Sequence, residues 1–155
     1  MTKISSKSTF FFKKVFPVLW FWFLAFFVIE TLLDGAFEKE AMFLVVPLLM
    51  VVFGFVLMKK LVWDLADEVY DCGDFLLIRN GGEEERISLS NIMNVSASTN
   101  MNPPRVTLRL VNSGKFGTEV VFSPIAKLTI NPFAKNPVAE DLIIRVDKAR
   151  SKRVI

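Results

Sequence analysis

With 155 residues, the chain has room for one compact domain and a membrane anchor, but not for two domains with separate cores. Histidine is absent and Cys72 is the single cysteine, which excludes a histidine acid–base pair, a cysteine–histidine dyad, an ordinary zinc site and an internal disulfide. Residues 1–60 hold seven lysines and four acidic residues, whereas residues 61–155 hold twelve cations and twelve acids. A neutral second half argues against nucleic-acid binding, which depends on clustered cations.

Two long apolar runs dominate the first part of the chain. Residues 15–33 read VFPVLWFWFLAFFVIETLL, with Glu30 as the one ionisable side chain, and residues 41–58 read AMFLVVPLLMVVFGFVLM, with no charge. A helix of either length extends for about 27 Å or more, close to the thickness of the hydrocarbon core. We therefore predict two transmembrane helices, joined by a short loop at residues 34–40, within an anchor of residues 1–60.

Two alternatives to this membrane hairpin are a cleaved signal peptide and a buried hairpin of a soluble protein. The first run ends in Thr31-Leu32-Leu33-Asp34-Gly35, which has no small-x-small cleavage site, and a second span follows at once. The remaining chain is too short to bury two helices that are apolar on every side. Both observations favour the two membrane spans.

Lysines flank the two runs asymmetrically. Lys13 and Lys14 precede the first run and Lys59 and Lys60 follow the second, against Lys39 alone in the loop. Because cationic flanks favour the cytoplasmic side, we predict a multi-pass protein of the inner membrane with both termini in the cytoplasm. The same four flanking lysines are candidate membrane-surface cations, which attract anionic lipid headgroups.

Pro47 and Gly54 interrupt the second run. Proline removes a backbone donor and predicts a kink, while glycine lets a neighbouring helix approach closely. The pair is a candidate helix-packing face, although proline and glycine are also generally better tolerated in membrane helices.

After Trp63 the pattern changes from continuous apolar residues to alternation, which predicts short antiparallel strands in residues 61–155. Asn80-Gly81-Gly82 predicts a tight hairpin turn, and the run Glu83-Glu84-Glu85 is interpreted as its solvated shoulder. Residues 112–117 predict a second hairpin loop. Asn136 as a cap and Pro137 at the first helical position predict a terminal amphipathic helix that packs on the sheet. The predicted strands are residues 67–71, 75–79, 86–90, 91–98, 105–111 and 118–122, with a further candidate at 126–130.

About seven antiparallel strands followed by one C-terminal helix is the element order of the pleckstrin-homology (PH) superfold. Residues 66–150 resemble a bacterial PH-like domain in the stretches DEVYDCGDFLLIRNGGEEERISLSNI, NPPRVTLRL and NPVAEDLIIRVDKAR. The whole chain resembles small bacterial inner-membrane proteins in which two helices precede such a domain. The resemblance implies a transmembrane hairpin followed by a PH-like β-barrel or sandwich capped by the helix. It also implies binding and assembly, often as homo-oligomers. It does not imply phosphoinositide recognition, because a dense cluster of cations is missing.

No catalytic, cofactor-binding or metal-binding constellation is evident in the sequence, and no small-molecule substrate is indicated. The leading hypothesis is a non-enzymatic, membrane-anchored interaction or scaffold module that self-associates or binds a protein partner. The alternative is an anionic-lipid-sensing domain at the membrane surface. The region from Ser123 to Pro137 is more apolar than a solvated connection needs, so it is a candidate interaction loop, with core packing as the competing explanation. Its candidate contact residues are Ile125, Leu128, Ile130 and Phe133.

Overall fold

The computed structural model describes residues 1–33, 35, 42–98, 103–125 and 136–151. The chain forms two compact units: a β-rich unit of Met1–Thr9 with Leu65–Ile155, and a helical unit of Phe10–Asp64. The anchor predicted from the sequence spans residues 1–60. In the structure the first nine residues cluster with the β-rich unit instead.

The helical unit contains two long apolar helices, α1 (Phe16–Leu33) and α2 (Met42–Leu61). A short helical turn and a π-helical turn, Phe11–Val15, lead directly into α1, so the helical stretch Ser8–Leu33 has 26 residues. The most apolar 18-residue windows of this stretch and of α2 have mean hydropathies of 2.0 and 2.5, and 17% of each window is buried. Both are long and apolar enough to cross a membrane, in agreement with the predicted runs at residues 15–33 and 41–58.

A narrow seam joins α1 and α2. Pro17, Leu24 and Thr31 are buried on α1 at seven-residue spacing, and Pro47 and Gly54 are buried on α2 at the same spacing. A seven-residue repeat keeps one stripe of each helix facing its neighbour, as in a coiled coil. The remaining surfaces of both helices are largely exposed apolar side chains.

The β-rich unit consists of two antiparallel sheets and one helix. The strand order is β1-β2-β3-β4 in the first sheet and β5-β6-β7 in the second. A 3-10 turn, Leu89–Asn91, connects the sheets, and a helix, α3 (Pro137–Ser151), follows. The strands are β1 (Thr2–Lys3), β2 (Glu68–Asp71), β3 (Phe75–Asn80), β4 (Glu83–Ser88), β5 (Ile92–Ser98), β6 (Arg105–Gly114) and β7 (Gly117–Phe122).

Most of these strands agree with the alternation in the sequence, but three details differ. β1 was not predicted at all. The strand predicted at residues 86–90 begins earlier, at Glu83, and ends at Ser88. The loop predicted at residues 112–117 is shorter, because β6 continues to Gly114 and β7 begins at Gly117. The candidate strand at residues 126–130 lies outside the described residues.

Hairpin geometry explains why glycine stands between β3 and β4. Gly81 and Gly82 have φ angles of 61° and 87°, and a two-residue turn with positive φ at both positions matches the twist of the strands it joins. This is the tight turn that Asn80-Gly81-Gly82 predicts.

The core lies between the two sheets and under α3. Alternate side chains of the strands point inward, and Leu76, Ile78, Ile92, Leu108 and Phe122 are completely buried. Helix α3 packs on β5 and the 3-10 turn through Ala139, Leu142 and Val146. The Oδ1 atom of Asn136 accepts a hydrogen bond of 2.9 Å from the Val138 amide, which is the cap predicted from the sequence.

One glutamate ties the tip of the β6–β7 hairpin to β4. The Glu85 carboxylate accepts hydrogen bonds from the backbone amides of Lys115, at 2.9 Å, and Phe116, at 3.3 Å. Glu83 and Glu84 are exposed, whereas Glu85 is half-buried. The interpretation of all three glutamates as a solvated shoulder is therefore wrong for Glu85, because the second hairpin reaches over it.

We expect Glu85→Ala to speed hydrogen exchange at the Lys115 and Phe116 amides and to lower the stability of the β-rich unit by about 1 kcal/mol, the usual net value of such hydrogen bonds. Glu83→Ala is the matched control, since it removes a carboxylate from the same run at an exposed position. Equal exchange in the two variants would contradict a specific role for Glu85.

Candidate interaction surface at the N-terminal strap

The N-terminal residues 2–6, here called the strap, lie along the edge of β2. Thr2 pairs with Asp71 and Lys3 with Tyr70 in the antiparallel ladder. Beyond the ladder, the amides of Ile4 and Ser5 both donate to the Val69 carbonyl, at 2.9 and 3.3 Å. The strap thus forms the outer strand of the first sheet.

The other edge of the strap contacts the segment that follows β7. The Ser6 amide donates to the Ser123 carbonyl at 2.7 Å, and the Ile125 amide donates to the Ile4 carbonyl at 2.9 Å. Ser5 and Pro124 also form an isolated antiparallel bridge. Five residues therefore join the two sheets at this corner of the β-rich unit.

Buried side chains hold the strap in place. Ser5 is 1% exposed, and its Oγ atom accepts a hydrogen bond of 2.9 Å from the Val69 amide. Ile4 is 8% exposed and belongs to the hydrophobic core of the unit. A small hydroxyl at position 5 fits this corner because it satisfies a buried amide that would otherwise lack a partner.

A charged cluster covers the outer side of the strap. Lys3 Nζ lies 2.5 Å from Glu68 Oε1, and the Tyr70 hydroxyl donates to Glu68 Oε2 at 3.0 Å. The Lys3 and Arg79 cations lie 5.8 and 5.4 Å from the centre of the Tyr70 ring. The hydrogen bond from Lys3 is the main reason that the pKa of Glu68 is lowered. These half-exposed contacts contribute modestly to the attachment of the strap.

Next to the strap, Arg145 connects α3 to the end of β2. Its guanidinium binds both carboxylate oxygens of Asp71, at 2.5 and 2.8 Å, and also donates to the Gly73 carbonyl. A further hydrogen bond of 3.1 Å reaches Asp141. The bidentate pair with Arg145 lowers the pKa of Asp71, and Asp71 raises the pKa of Arg145. Arg145 therefore ties the middle of α3 to the β2–β3 turn.

A cavity of about 200 Å³ lies between the strap and the first turns of α3. Four of its lining side chains are apolar, and the Asp71 and Asp141 carboxylates form its polar part. Both carboxylates are bound by Arg145, so neither presents an unpaired charge to the cavity. Their oxygens can still accept a hydrogen bond from a group that enters the cavity. The cavity can accept an apolar side chain with a hydrogen-bond donor beside it. Its lining residues are Ile4, Asp71, Pro137, Val138, Asp141 and Leu142.

Of the four candidate contact residues in the predicted interaction loop, the structure places Ile125 at this corner. Ile125 is 39% exposed and its amide binds the strap. Leu128, Ile130 and Phe133 lie outside the described residues. Within the described ranges, no group of three or more Cys, Asp or Glu side chains is arranged to hold a metal ion.

The other predicted site residues lie in the helical unit. Lys13 and Lys14 are in the π-helical turn before α1, and Lys59 and Lys60 are in the last turn of α2. Since α1 and α2 are joined by a short connection and pack side by side, the four lysines lie at one end of the pair.

Pro47 and Gly54, the predicted helix-packing residues, are both buried in the seam between α1 and α2. An added Cβ atom at Gly54 would lie 2.6 Å from the Nε1 atom of Trp20. Only glycine therefore leaves room for this indole ring.

Sequence reasoning missed the strap and its contacts. Residues 2–6 read TKISS and contain one apolar side chain, Ile4, so they show no alternation from which β1 could be predicted.

No family model, no curated protein and no solved structure matches the chain.

Proposed function

We propose that this protein is a non-enzymatic, membrane-anchored interaction module whose β-rich unit is PH-like and lies at the cytoplasmic face. It associates with a second copy or with a protein partner. The observation that carries this proposal is the strap corner, where an exposed isoleucine and a small cavity lie beside a strand that adjoins the membrane helix.

The pairing of β1 with β2 supports a helical hairpin, formed by α1 and α2, that enters and leaves the membrane on the same side. The segments before α1 and after α2 belong to the same β-rich fold, and a bilayer cannot divide one fold. This arrangement favours an even number of crossings by the two helices. The lysines at this end of the helix pair favour the cytoplasm for that side.

The arrangement of the β-rich unit supports the PH-like assignment. Four antiparallel strands form one sheet, three form the other, and a helix that packs on β5 follows the last strand. Six of these strands and the helix follow α2 in the order that the resemblance implies, whereas β1 precedes the two apolar helices. In the described part of the chain, the strap and Glu85 each join one edge of the first sheet to the second.

The strap corner offers the features that a protein partner recognises. Ile125 presents apolar surface, and the adjacent cavity combines apolar walls with two oriented carboxylates. Interfaces are typically built from such an apolar centre with a few oriented polar groups.

A photo-crosslinking amino acid at Ile125, introduced into the full-length protein in cells, tests this proposal. We expect a discrete product, either of twice the protein's mass or with one defined partner. The control position is Val111, which is 51% exposed on β6 and distant in sequence from the strap. Equal, weak labelling at Ile125 and Val111 would contradict the proposal.

Anionic-lipid sensing is the second candidate function, favoured by the four lysines at one end of the helix pair. In nanodiscs that contain both lipids, we expect the full-length protein to bind more phosphatidylglycerol than phosphatidylcholine. Combined substitution of glutamine for Lys13, Lys14, Lys59 and Lys60 should abolish this preference. Lys115→Gln, an exposed change on the β6–β7 turn, is the control. Equal retention of both lipids by the unaltered protein would exclude this function.

A further inference from the structure

We propose that the outer edge of β5 is a self-association surface, at which two copies of the chain pair their β5 strands in antiparallel orientation. The proposal rests on the proposed function, because it specifies the partner as a second copy and names a surface for it apart from the strap corner. The observations that carry it are the open edge of β5, the lack of charge along this strand and the length of strand that stays open.

The two sheets of the β-rich unit have four outer strands, and three of them contact other parts of the chain. The segment after β7 hydrogen-bonds to the strap along the outer edge of β1. The tip of the β6–β7 hairpin contacts β4, where the Glu85 carboxylate binds two of its backbone amides. At the outer edge of β7, Leu65 forms a bridge with Val121, and the Ala66 amide donates to the Val121 carbonyl at 2.6 Å.

The fourth outer strand, β5, has an open edge. Within the described residues, β5 (Ile92–Ser98) pairs with β6 alone, and no other strand lies along its second edge. At the start of the strand, Arg150 of α3 donates a hydrogen bond of 2.9 Å to the Met93 carbonyl. The open part of the edge is therefore residues 94–98, of which Val95 is buried and the other four are exposed.

β5 also lacks the features that usually protect an edge strand from pairing. Charged side chains, proline, bulges and a short length all serve this purpose. Of the seven strands in the described ranges, β5 is the one without Asp, Glu, Lys or Arg, and it contains no proline. It has seven residues, and its bulge lies at the start of the strand, before the open residues. This edge is therefore suited to hydrogen bonding with another strand.

The lack of charge favours a second copy over a different protein. Two identical strands related by a two-fold axis bring their own side chains together, so a charged strand would bring like charges close to one another. The uncharged β5 strand avoids this repulsion. A different protein would be selected mainly through complementary charges, and β5 offers none.

The open residues determine the register of the pair. A two-fold axis at Ser96 pairs all of residues 94–98, because it sets Asn94 of one copy opposite Ser98 of the other and the two Ser96 residues opposite each other. These three side chains are exposed and alternate along the strand, so they share one face of the sheet. They are small and polar, and can hydrogen-bond across the pair. The three-stranded sheets of two copies then form one six-stranded sheet.

Disulfide crosslinking of the full-length protein in isolated membranes tests the proposal. Ser96→Cys is combined with Cys72→Ser, so that each chain has one cysteine. Opposite residues of an antiparallel pair have Cβ atoms about 4.5–5.5 Å apart, close to the distance that a disulfide needs. We expect Ser96→Cys to give about tenfold more dimer under mild oxidation than Ser113→Cys, which changes an exposed serine of β6. Equal amounts of dimer from the two positions would overturn the proposal.

Charge changes at Ser96 distinguish a second copy from another partner at the same edge. If two differently tagged copies both carry Ser96→Lys, two cations face each other, and co-purification should fall by about fivefold or more. A copy with Ser96→Lys and a copy with Ser96→Glu should co-purify as well as the unaltered protein. Ser113→Lys in both copies is the control and should have no effect. A loss in the Lys–Glu combination as large as in the Lys–Lys combination would overturn the proposal.

Crosslinking at Ile125 separates this proposal from the proposed function. If Ser96→Cys gives no dimer but the Ile125 product persists, the β5 edge is not an interface and the interaction module stands. If Ser96→Cys gives the dimer and no product forms at Ile125, the pairing of β5 stands and the interaction surface assigned to the strap corner is wrong.

Discussion

Replacing residues 2–6 by a glycine–serine sequence of equal length is expected to unfold the β-rich unit while the two apolar helices remain helical. With glycine at positions 4 and 5, the change removes the buried Ile4 side chain, worth about 2 kcal/mol, and the buried acceptor Ser5 Oγ, whose loss leaves the Val69 amide unsatisfied at a cost of about 1–3 kcal/mol. The β1–β2 ladder is lost as well. A small domain has a total stability of about 5–15 kcal/mol, so a large part of it depends on these five residues.

Circular dichroism and limited proteolysis of the full-length protein in mild detergent measure this effect. Proteolysis should cut between residues 65 and 151 in the replaced variant and spare α1 and α2. The control is Lys7→Gln, which alters an exposed side chain between the strap and the helix. Resistance of the β-rich unit to proteolysis after loss of the strap would contradict its structural role.

The same reasoning applies to fragments of the chain. A fragment of residues 61–155 lacks β1 and should fail to fold, even though it contains every strand predicted from the sequence. Replacing residues 10–64 by a short glycine–serine linker, so that residues 1–9 are joined to residues 65–155, should restore folding. This shortened chain contains the strap but lacks the helices. A cooperative unfolding transition in the fragment without residues 1–9 would contradict this expectation.

Local signals explain what the sequence could predict. The apolar runs, the glycine pair at residues 81–82 and the cap at Asn136 each specify their structure within a few residues. The alternation of the later strands is similarly local, because each buries one face. These signals were sufficient for two apolar helices, two hairpins and a terminal helix.

Long-range contacts explain what the sequence could not predict. β1 is recognisable only through its partner, since Lys3 and Tyr70 are separated by the entire helical unit. Glu85 is indistinguishable in sequence from Glu83 and Glu84, and only the position of the β6–β7 hairpin gives it a different role. Arg145 reads as an ordinary solvated cation on a helix, yet it binds an aspartate 74 positions earlier in the chain.

Arg145→Met is expected to lower the stability of the β-rich unit by about 2 kcal/mol at neutral pH, because it leaves the partly buried Asp71 carboxylate without its bidentate partner. Arg150→Met is the matched control on the same helix, since Arg150 is exposed and makes one hydrogen bond to the Met93 carbonyl. It should cost less than about 1 kcal/mol. Both variants are made in the shortened chain in which residues 1–9 are joined to residues 65–155. Denaturant unfolding then measures the free energy of unfolding of each.

The pH dependence of the stability lost in Arg145→Met tests whether the loss is electrostatic. Arg145 lowers the pKa of Asp71 below its ordinary value of 3.8, so the ion pair contributes fully above that value and is lost as the pH falls through the lower pKa of the folded state. The stability difference between the unaltered unit and Arg145→Met should therefore be constant from pH 7 to pH 5 and shrink below about pH 4. An equal difference at pH 7 and at pH 2 would mean that Arg145 acts through packing of its aliphatic chain and not through Asp71.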